Sequence, residues 1–277
     1  MNRTPDFASK LRWWRRHRSI SQLDLAGRAE ISQRHLSFLE LGRASPSRAM
    51  VLRLAVALNV PLRQQNVLLL AAGFAPVWQE TEFAAPELAQ VRSGLDYILT
   101  QQEPFPAVVV DRRWNLLKGN AGAVRLVEFL VGPLTPDSPI NLADALVAPD
   151  VLRPFLVNWE EVVRYFIRSV EADAAADGTA ETTALLQRLL AYAGVGSIIK
   201  RMDVEPASGP VVPMLFRKDK VSLNLFTTIA TLGTPQDVTL QELRIECFFA
   251  MNDPTADVFR SWAAGKKGRS RAPRRQP

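Results

Sequence analysis

The sequence has few of the residues on which metal and redox chemistry usually depend. Among its 277 residues there is one cysteine, Cys247, and there are two histidines, His17 and His35. A single cysteine excludes an intrachain disulfide and a cysteine zinc cluster, and two histidines are too few ligands for a metal site. The chain after residue 73 contains no histidine, which argues against a histidine-ligated haem there. We therefore expect no metal or prosthetic cofactor.

Long apolar runs are also missing. No window approaches the roughly eighteen uninterrupted apolar residues of a membrane span, although 47% of residues are hydrophobic, which suffices for globular cores. Residues 1–6 lack the apolar segment and small-residue cleavage site of a signal peptide. These absences predict a cytoplasmic protein without a membrane partner.

Charge of one sign is concentrated at the two ends of the chain. Residues 1–73 carry a net charge of +8, residues 74–262 carry −8, and residues 263–277 carry +6. Basic ends around an acidic body indicate that the ends face a polyanion such as nucleic acid. Basic surface helices without such a partner are the alternative reading.

Residues 7–73 have the apolar periodicity of five short helices, with start and stop signals between them. Ser19 or Ser21 can cap the second helix, Ser32 is a good N-cap for the third, and Pro46-Ser47 starts the fourth. Pro61 suits a first turn, and Gly42 suits a left-handed stop. Five short helices, two of them in close succession, predict an all-α helix-turn-helix bundle.

The start of the third predicted helix carries side chains that can read base edges. Gln33 can bond adenine and Arg34 can bond guanine through two hydrogen bonds each. Gln22, at the start of the second helix, is placed to bind a phosphate. Arg43 and Arg48 follow the third helix and are candidate contacts to the DNA backbone.

The spacing of these residues resembles the phage-repressor (XRE) helix-turn-helix family. The resemblance implies that Gln33, Arg34 and Ser37 reach bases, while Phe38 either meets a thymine methyl or packs inward. It also implies phosphate contacts from Gln22, Ser32 and Arg43. We expect Glu40 to pair with a nearby arginine, and Glu30 occupies a turn position where a small residue is frequent in the family. The matching residues are Ser21-Gln22-x-x-Leu25-Ala26, Ile31-Ser32-x-x-x-Leu36-Ser37-x-Leu39-Glu40-x-Gly42-Arg43 and Pro46-Ser47.

The pattern changes after a predicted linker over residues 74–85. Residues 107–117 read as short strands, and residues 222–232 and 242–249 alternate like an antiparallel hairpin with one buried face. In the second hairpin strand we expect Ile245 and Cys247 to face inward, with Arg244 and Glu246 on a solvated face. Helices between the strands predict an α+β domain over residues 86–262, and the basic residues 263–277 predict a disordered tail.

This second domain resembles the MmyB-like family of regulators, which implies a PAS-like sensor domain with a small antiparallel sheet. A fatty-acid-like apolar ligand is implied by the resemblance alone. The matching residues are Phe74-Ala75-Pro76, Pro106-x-x-Val109-x-Asp111-x-x-Trp114, Asn120, Val157-Asn158-Trp159, Gly233-Thr234-Pro235-Gln236-Asp237 and Glu242-x-x-x-Glu246.

Apolar residues of the strands and helices are candidates for the lining of a ligand cavity, although such residues are more often ordinary core. Asn120, Arg125 or Arg164 could donate a hydrogen bond to a ligand acid group. The apolar candidates are Val109, Trp114, Leu116, Phe129, Trp159, Val163, Phe166, Leu225 and Phe226.

Catalytic motifs are missing from the sequence: there is no glycine-rich phosphate loop and no recognisable Ser–Lys pair. We therefore expect a transcription regulator rather than an enzyme. In this hypothesis a homodimer binds a double-stranded DNA operator, and the second domain senses a small apolar molecule. The alternative is a second domain that serves protein interaction or dimerisation and takes no small ligand.

Overall fold

The computed structural model describes residues 7–133, 139–201 and 210–267, and it divides the chain into two compact units. The first unit comprises residues 1–82 together with residues 234–241. The second comprises residues 83–233 and 242–277. The eight residues 234–241 therefore belong with the first unit, although they stand between two strands of the second, and the sequence did not indicate this.

Five helices form the first unit, and their boundaries follow from local capping. The side chains of Ser21, Ser32 and Ser47 each accept a hydrogen bond from the backbone N–H three residues later. Gly42 and Gly73 end the third and fifth helices with left-handed φ angles of 69° and 85°. The helices are α1 (Phe7–His17), α2 (Gln22–Arg28), α3 (Gln33–Glu40), α4 (Arg48–Ala57) and α5 (Leu62–Ala71).

Leucines from every helix form the core of this unit, including Leu11, Leu25, Leu36, Leu54 and Leu68, which are all fully buried. They recur at helical spacing, so each helix turns one apolar stripe inward. Residues 234–241 attach to the same unit through polar bonds. The carboxylate of Asp237 accepts from the hydroxyl of Thr81 at 2.7 Å, and the backbone N–H of Leu62 donates to Gln241 at 2.8 Å.

The second unit contains a five-stranded antiparallel sheet in the order β2-β1-β5-β4-β3. The predicted hairpin is present, because β4 and β5 pair antiparallel from Leu225 opposite Ala250 to Ala230 opposite Ile245. The strands are β1 (Ala107–Val110), β2 (Leu116–Gly119), β3 (Met214–Lys218), β4 (Val221–Ala230) and β5 (Arg244–Ala250).

The larger of the two cores lies in this unit, and its buried residues include Leu130, Val163, Ile167 and Phe259. A 3₁₀ turn (Pro86–Leu88) precedes the first helix of the unit, and a second one spans Arg153–Phe155. The helices are α6 (Ala89–Gln101), α7 (Ala121–Val131), α8 (Leu142–Val147), α9 (Trp159–Asp177), α10 (Ala180–Ala191), α11 (Val195–Lys200) and α13 (Asp253–Lys267). The short helix α12 (Val238–Glu242) belongs with the first unit apart from its last residue.

The predicted architecture, a helix-turn-helix bundle followed by an α+β PAS-like domain with an antiparallel sheet, is confirmed. The predicted tail begins too early, because α13 continues to Lys267. The rest of that tail, residues 268–277, lies outside the described residues. Within the described ranges, no helix combines the length and the apolar character needed to cross a membrane, and no cluster of three or more acidic, histidine or cysteine side chains suits a metal ion.

Candidate functional site

Helix α3 presents its first turn to the surface and its later turns to the core. Ser32, Gln33 and Arg34 are exposed, whereas Leu36 and Leu39 are fully buried. Ser32 uses one lone pair to cap the helix, accepting from the N–H of His35 at 3.1 Å, and its hydroxyl hydrogen is left for another acceptor. The helix therefore offers polar side chains at its N-terminal end, where a recognition helix contacts base edges.

The aromatic ring of Phe38 lies one turn from Arg34 on the same side of α3. The guanidinium carbon of Arg34 lies 5.4 Å from the centroid of this ring, a cation–π contact that favours one orientation of the arginine. Phe38 and Ser37 are half-buried, while Arg43 and Arg48 are exposed beyond the end of the helix.

A buried charge pair ties α3 to the two preceding helices. Glu40 accepts hydrogen bonds from Arg15 Nε at 2.6 Å, Arg15 Nη2 at 3.0 Å and Gln22 Nε2 at 2.7 Å, and its backbone carbonyl accepts from Arg12. The expected pairing of Glu40 with an arginine is confirmed. Burial raises the pKa of Glu40, but the bonds and charges of these partners outweigh burial and hold the pKa below its ordinary value.

The predicted phosphate contact Gln22 thus has a structural partner inside the protein. Its side-chain nitrogen donates to Glu40, which fixes the side chain at the start of α2. The turn between α2 and α3 contains Glu30 in the left-handed region at φ 53°, where a residue without a side chain would be unstrained. This conformation explains why small residues are frequent at the position in the family that the sequence resembles.

The second unit contains an apolar cavity of about 260 Å³ between the sheet and helices α7, α8 and α9. Its size is close to the lower end of the range for small-molecule sites, which is about 300–1,000 Å³. The lining consists of Pro106, Val108, Trp114, Ala123, Leu126, Val127, Leu130, Leu142, Leu146, Leu152, Val162, Tyr165, Phe166, Ser169, Val212, Met214, Phe216, Thr227, Ile229, Glu246 and Phe248.

Two cross-strand rows of the sheet form one wall of this cavity. In the first row Val108 of β1 and Ile229 of β4 flank Glu246 of β5, because both residues pair with it directly. In the second row Thr227 stands opposite Phe248. Residues opposed in an antiparallel pair point to the same face, so the sheet alone brings Glu246 into an otherwise apolar wall.

The expectation that Glu246 lies on a solvated face is wrong. Strand β5 turns Glu246 and Phe248 toward the cavity, and its buried neighbour Ile245 points to the opposite face. The alternation of β5 is visible in the sequence, but a charged residue in such a strand normally indicates the solvated face. Burial raises the pKa of Glu246 to about 7, although a hydrogen bond from Thr227 and the charge of Arg244 both lower it.

Trp114 combines several unusual features at the edge of the cavity. It is 4% exposed, its φ angle is 65°, and its indole N–H has no hydrogen-bond partner within the described part of the chain. A bulky residue in the left-handed region is strained. The carboxylate of Asp111 holds this turn by accepting from the backbone N–H groups of Arg113 at 2.8 Å and Asn115 at 2.9 Å.

Of the ten residues predicted to contact a ligand, Trp114 and Phe166 line the cavity, with their rings 4.9 Å apart. Asn120 instead caps α7, accepting from the N–H of Ala123 at 2.9 Å. The indole N–H of Trp159 donates to the carbonyl of Leu146 at 2.9 Å, and Phe129 packs 4.9 Å from Trp262. The lining likewise omits Val109, Leu116, Val163, Leu225 and Phe226.

Strand alternation explains two of these omissions. Val109 and Phe226 are each adjacent in sequence to a lining residue, Val108 and Thr227, and so point to the other face of the sheet. Thr227 and Ile229, which alternate with Phe226 and Thr228 along β4, both line the cavity. The polar lining residues Tyr165 and Ser169 were missed, because nothing in a helical pattern separates a cavity wall from a packed core.

Two family models match the chain and together cover both units. A model described as "MmyB-like transcription regulator ligand binding domain" matches residues 91–261, and a helix-turn-helix model matches residues 11–65. Because the first match covers more than half of the chain, the chain belongs to the MmyB-like transcription regulators. It joins a helix-turn-helix DNA-binding domain to a ligand-binding domain, and neither family is a family of enzymes.

Other comparisons add little to this assignment. No curated protein matches the chain. One solved structure that resembles it is described as "Structure of an RNA-binding Light-Oxygen-Voltage Receptor", with 12% sequence identity and a TM-score of 0.30. That match covers 96% of this chain, and this chain spans 64% of the length of that one.

Proposed function

We propose that this protein is a sequence-specific transcription regulator that acts as a homodimer and whose affinity for its operator changes when a small apolar molecule fills the cavity of the second unit. The DNA-binding part of the proposal is carried by one observation. The first turn of α3 exposes Gln33 and Arg34 while the rest of the helix is anchored in the core.

Sequence readout is assigned to α3, and backbone contacts are assigned to its surroundings. Arg34 and Gln33 offer bidentate bonds to base edges, each worth about 1–3 kcal/mol of discrimination. Ser37 and Phe38, one turn later on α3, are the further candidates for base contact. Gln22, Ser32, Arg43 and Arg48 lie at helix ends or beyond α3, where phosphate contacts fix the register of a recognition helix.

Selection from a random duplex library, followed by titration of the selected and a scrambled duplex at fixed salt, tests this assignment. Arg34→Ala should lower the ratio of the two affinities by about ten- to a hundredfold. Arg53→Ala is the matched control, because Arg53 is exposed on α4 and away from α3 in the sequence. An equal loss of affinity for both duplexes would make Arg34 a phosphate contact instead.

The dimer follows from the small surface that one short helix can bury. Two protomers reading half-sites about 34 Å apart would supply the missing contacts. The selected duplex should then be a palindrome, and light scattering should give two chains per duplex. A single asymmetric half-site bound by one chain would contradict the dimer.

The ligand part of the proposal is supported by the cavity, whose lining is apolar apart from a few grouped polar side chains. Solvent extraction of the purified protein followed by mass spectrometry should recover one small apolar molecule per chain. Ala123→Leu, which adds carbon atoms to the lining, should lower that yield. Adding the recovered molecule back should change operator affinity by about 5- to 150-fold, the usual range of allosteric coupling.

If no molecule is recovered and the Ala123→Leu variant binds DNA as tightly as the wild type, the result favours the alternative function of the second unit. In that case the second unit serves protein interaction or dimerisation without a small ligand. The oligomeric state of the chain without its second unit would then be measured, and loss of the dimer would support a role in dimerisation.

A further inference from the structure

The cavity has one charged side chain in its lining, and that side chain is an acid. Among the described residues, Glu246 is charged, Tyr165 is the other titratable group, and no lysine, arginine or histidine contributes to the lining. Residues 134–138 and 202–209, which lie outside the described residues, contain no basic residue in the sequence. Nothing in this wall or in those stretches can therefore form an ion pair with an anionic ligand.

The cation whose charge acts on Glu246, Arg244, is already paired. Arg244 lies two residues away on β5 and forms an ion pair with Asp173 of α9 at 2.7 Å. Its guanidinium also stacks against Trp114, with 5.5 Å between the guanidinium carbon and the ring centroid. The arginine is outside the cavity lining, and its charge is largely balanced by Asp173.

The polar groups of the lining favour a ligand that both donates and accepts a hydrogen bond. Glu246 supplies acceptor oxygens, and it interacts with Thr227 on β4 through a hydrogen bond and with Arg244 through its charge. The indole N–H of Trp114 is a buried donor without a partner among the described residues. A buried donor left unsatisfied costs about 1–3 kcal/mol, so a ligand that accepts from it gains binding energy.

We infer that the cavity selects an uncharged amphiphile, whose polar end carries both a donor and an acceptor as an alcohol or a primary amide does, and that it discriminates against a free carboxylate. The donor would face Glu246 and the acceptor would face Trp114. This inference rests on the proposed function, since it assumes that the cavity holds a ligand. It departs from the fatty-acid-like ligand that the family resemblance suggested.

The cavity volume sets the size of suitable probes. An apolar cavity of about 150 Å³ holds benzene, which has six non-hydrogen atoms. At the same volume per atom, the cavity of about 260 Å³ holds roughly ten non-hydrogen atoms. Octanamide and octanoate each contain ten non-hydrogen atoms and differ in charge at nearly the same shape, so they are a matched pair.

Isothermal titration of the full chain with both probes, at pH values about 1.5 units below and above 7, tests the inference. Octanamide can donate to ionised Glu246 or accept from protonated Glu246, so its affinity should change less than about threefold between the two pH values. Octanoate and Glu246 are both acids, so one of the two carboxyl groups must be protonated when they meet in the cavity. Its affinity should therefore fall at least about tenfold as the pH rises through the pKa of Glu246, which is about 7.

Two conservative variants locate the effect. Glu246→Gln keeps the size and the hydrogen bonding but removes the charge, so the octanoate affinity at high pH should rise at least about tenfold and its pH dependence should vanish. Trp114→Phe keeps an aromatic ring but removes the indole N–H donor, so the affinity for octanamide should fall about fivefold. Circular dichroism before each titration shows that the variant is folded.

The outcomes separate this inference from the function on which it rests. Octanoate that binds as tightly as octanamide at high pH, or an unchanged ratio of the two affinities in Glu246→Gln, overturns the selectivity. Binding of neither probe, with no effect of Ala123→Leu, contradicts the proposed ligand cavity itself and with it this inference. Binding of octanamide alone at high pH supports both.

Discussion

Removal of the Glu40 charge should destabilise the first unit strongly. Glu40→Gln keeps the size of the side chain but leaves Arg15 without a counter-charge. The two side chains are 2% and 13% exposed, so water cannot replace the lost partner. Arg15 also donates to the carbonyl of Ile20 at 3.0 Å, which holds the guanidinium in place when the acid is gone.

The size of the effect follows from this burial. Breaking a buried ion pair by removing one partner typically costs about 3–5 kcal/mol, because the remaining charge is uncompensated. Glutamine retains one acceptor oxygen, so we expect about 3 kcal/mol for Glu40→Gln. Arg15→Met should cost a similar amount. The double variant should cost about 1–3 kcal/mol less than the sum of the two, because neither charge is left alone.

Urea unfolding of the full chain, followed by circular dichroism and tryptophan fluorescence, measures these energies. Glu80→Gln is the control within the same unit, since Glu80 pairs with Arg63 but is 56% exposed. An exposed pair contributes about 0–1 kcal/mol. Because the pKa of Glu40 lies below its ordinary value of 4.5, the advantage of the wild type over Glu40→Gln should be complete above that pH and shrink as the pH falls below it.

A cost of Glu40→Gln no larger than that of Glu80→Gln would refute this reasoning. So would single and double variants whose costs add without a coupling energy. Either result would mean that Arg15 finds another partner or water when the carboxylate is removed.

Three further predictions concern the backbone and the buried acid. Gly122→Ala should destabilise the second unit by about 1–3 kcal/mol, since a Cβ would meet backbone atoms at 2.6 and 2.7 Å, whereas Gly94→Ala, where nothing lies within 4 Å, should not; equal unfolding midpoints for the two variants would contradict this. Glu30→Gly should stabilise the first unit by about 0.5–1 kcal/mol, because glycine adopts the left-handed backbone conformation of this position without strain. An unchanged or lower melting temperature would count against this prediction. Stability of the second unit should fall by about 3 kcal/mol between pH 4.5 and 7 because the folded state holds the Glu246 proton more tightly. A urea series over this pH range should show that Glu246→Gln lacks this loss.

The first unit could be predicted closely because its boundaries are set locally. Ser21, Ser32 and Ser47 cap helices within three residues of chain, and Gly42 ends one with a conformation that glycine adopts freely. The apolar spacing between these signals specifies which side of each helix is buried. The exposure of Gln33 and Arg34 follows from the same spacing, so the surface that we propose for DNA recognition is readable without tertiary information.

The cavity of the second unit could be predicted only in part, because it depends on long-range register. Glu246 of β5 pairs with Val108 of β1 on one side and with Ile229 of β4 on the other. No local sequence pattern specifies those pairings. A charged residue in an alternating strand normally indicates the solvated face, which misled the assignment of β5. Strand β3 and helix α8, with 5 and 6 residues, were not predicted from the sequence.

The position of residues 234–241 offers a physical route by which a ligand in the cavity could reach the DNA-binding domain. Strand β4 carries Thr227 and Ile229, strand β5 carries Glu246 and Phe248, and the segment that joins these strands belongs to the first unit. Asp237 holds the segment there through Thr81 at 2.7 Å. We propose that a ligand that shifts either strand acts on the first unit through this covalent connection. Asp237→Ala should leave operator affinity intact but reduce its response to ligand, and an unchanged response would show that the coupling takes another path.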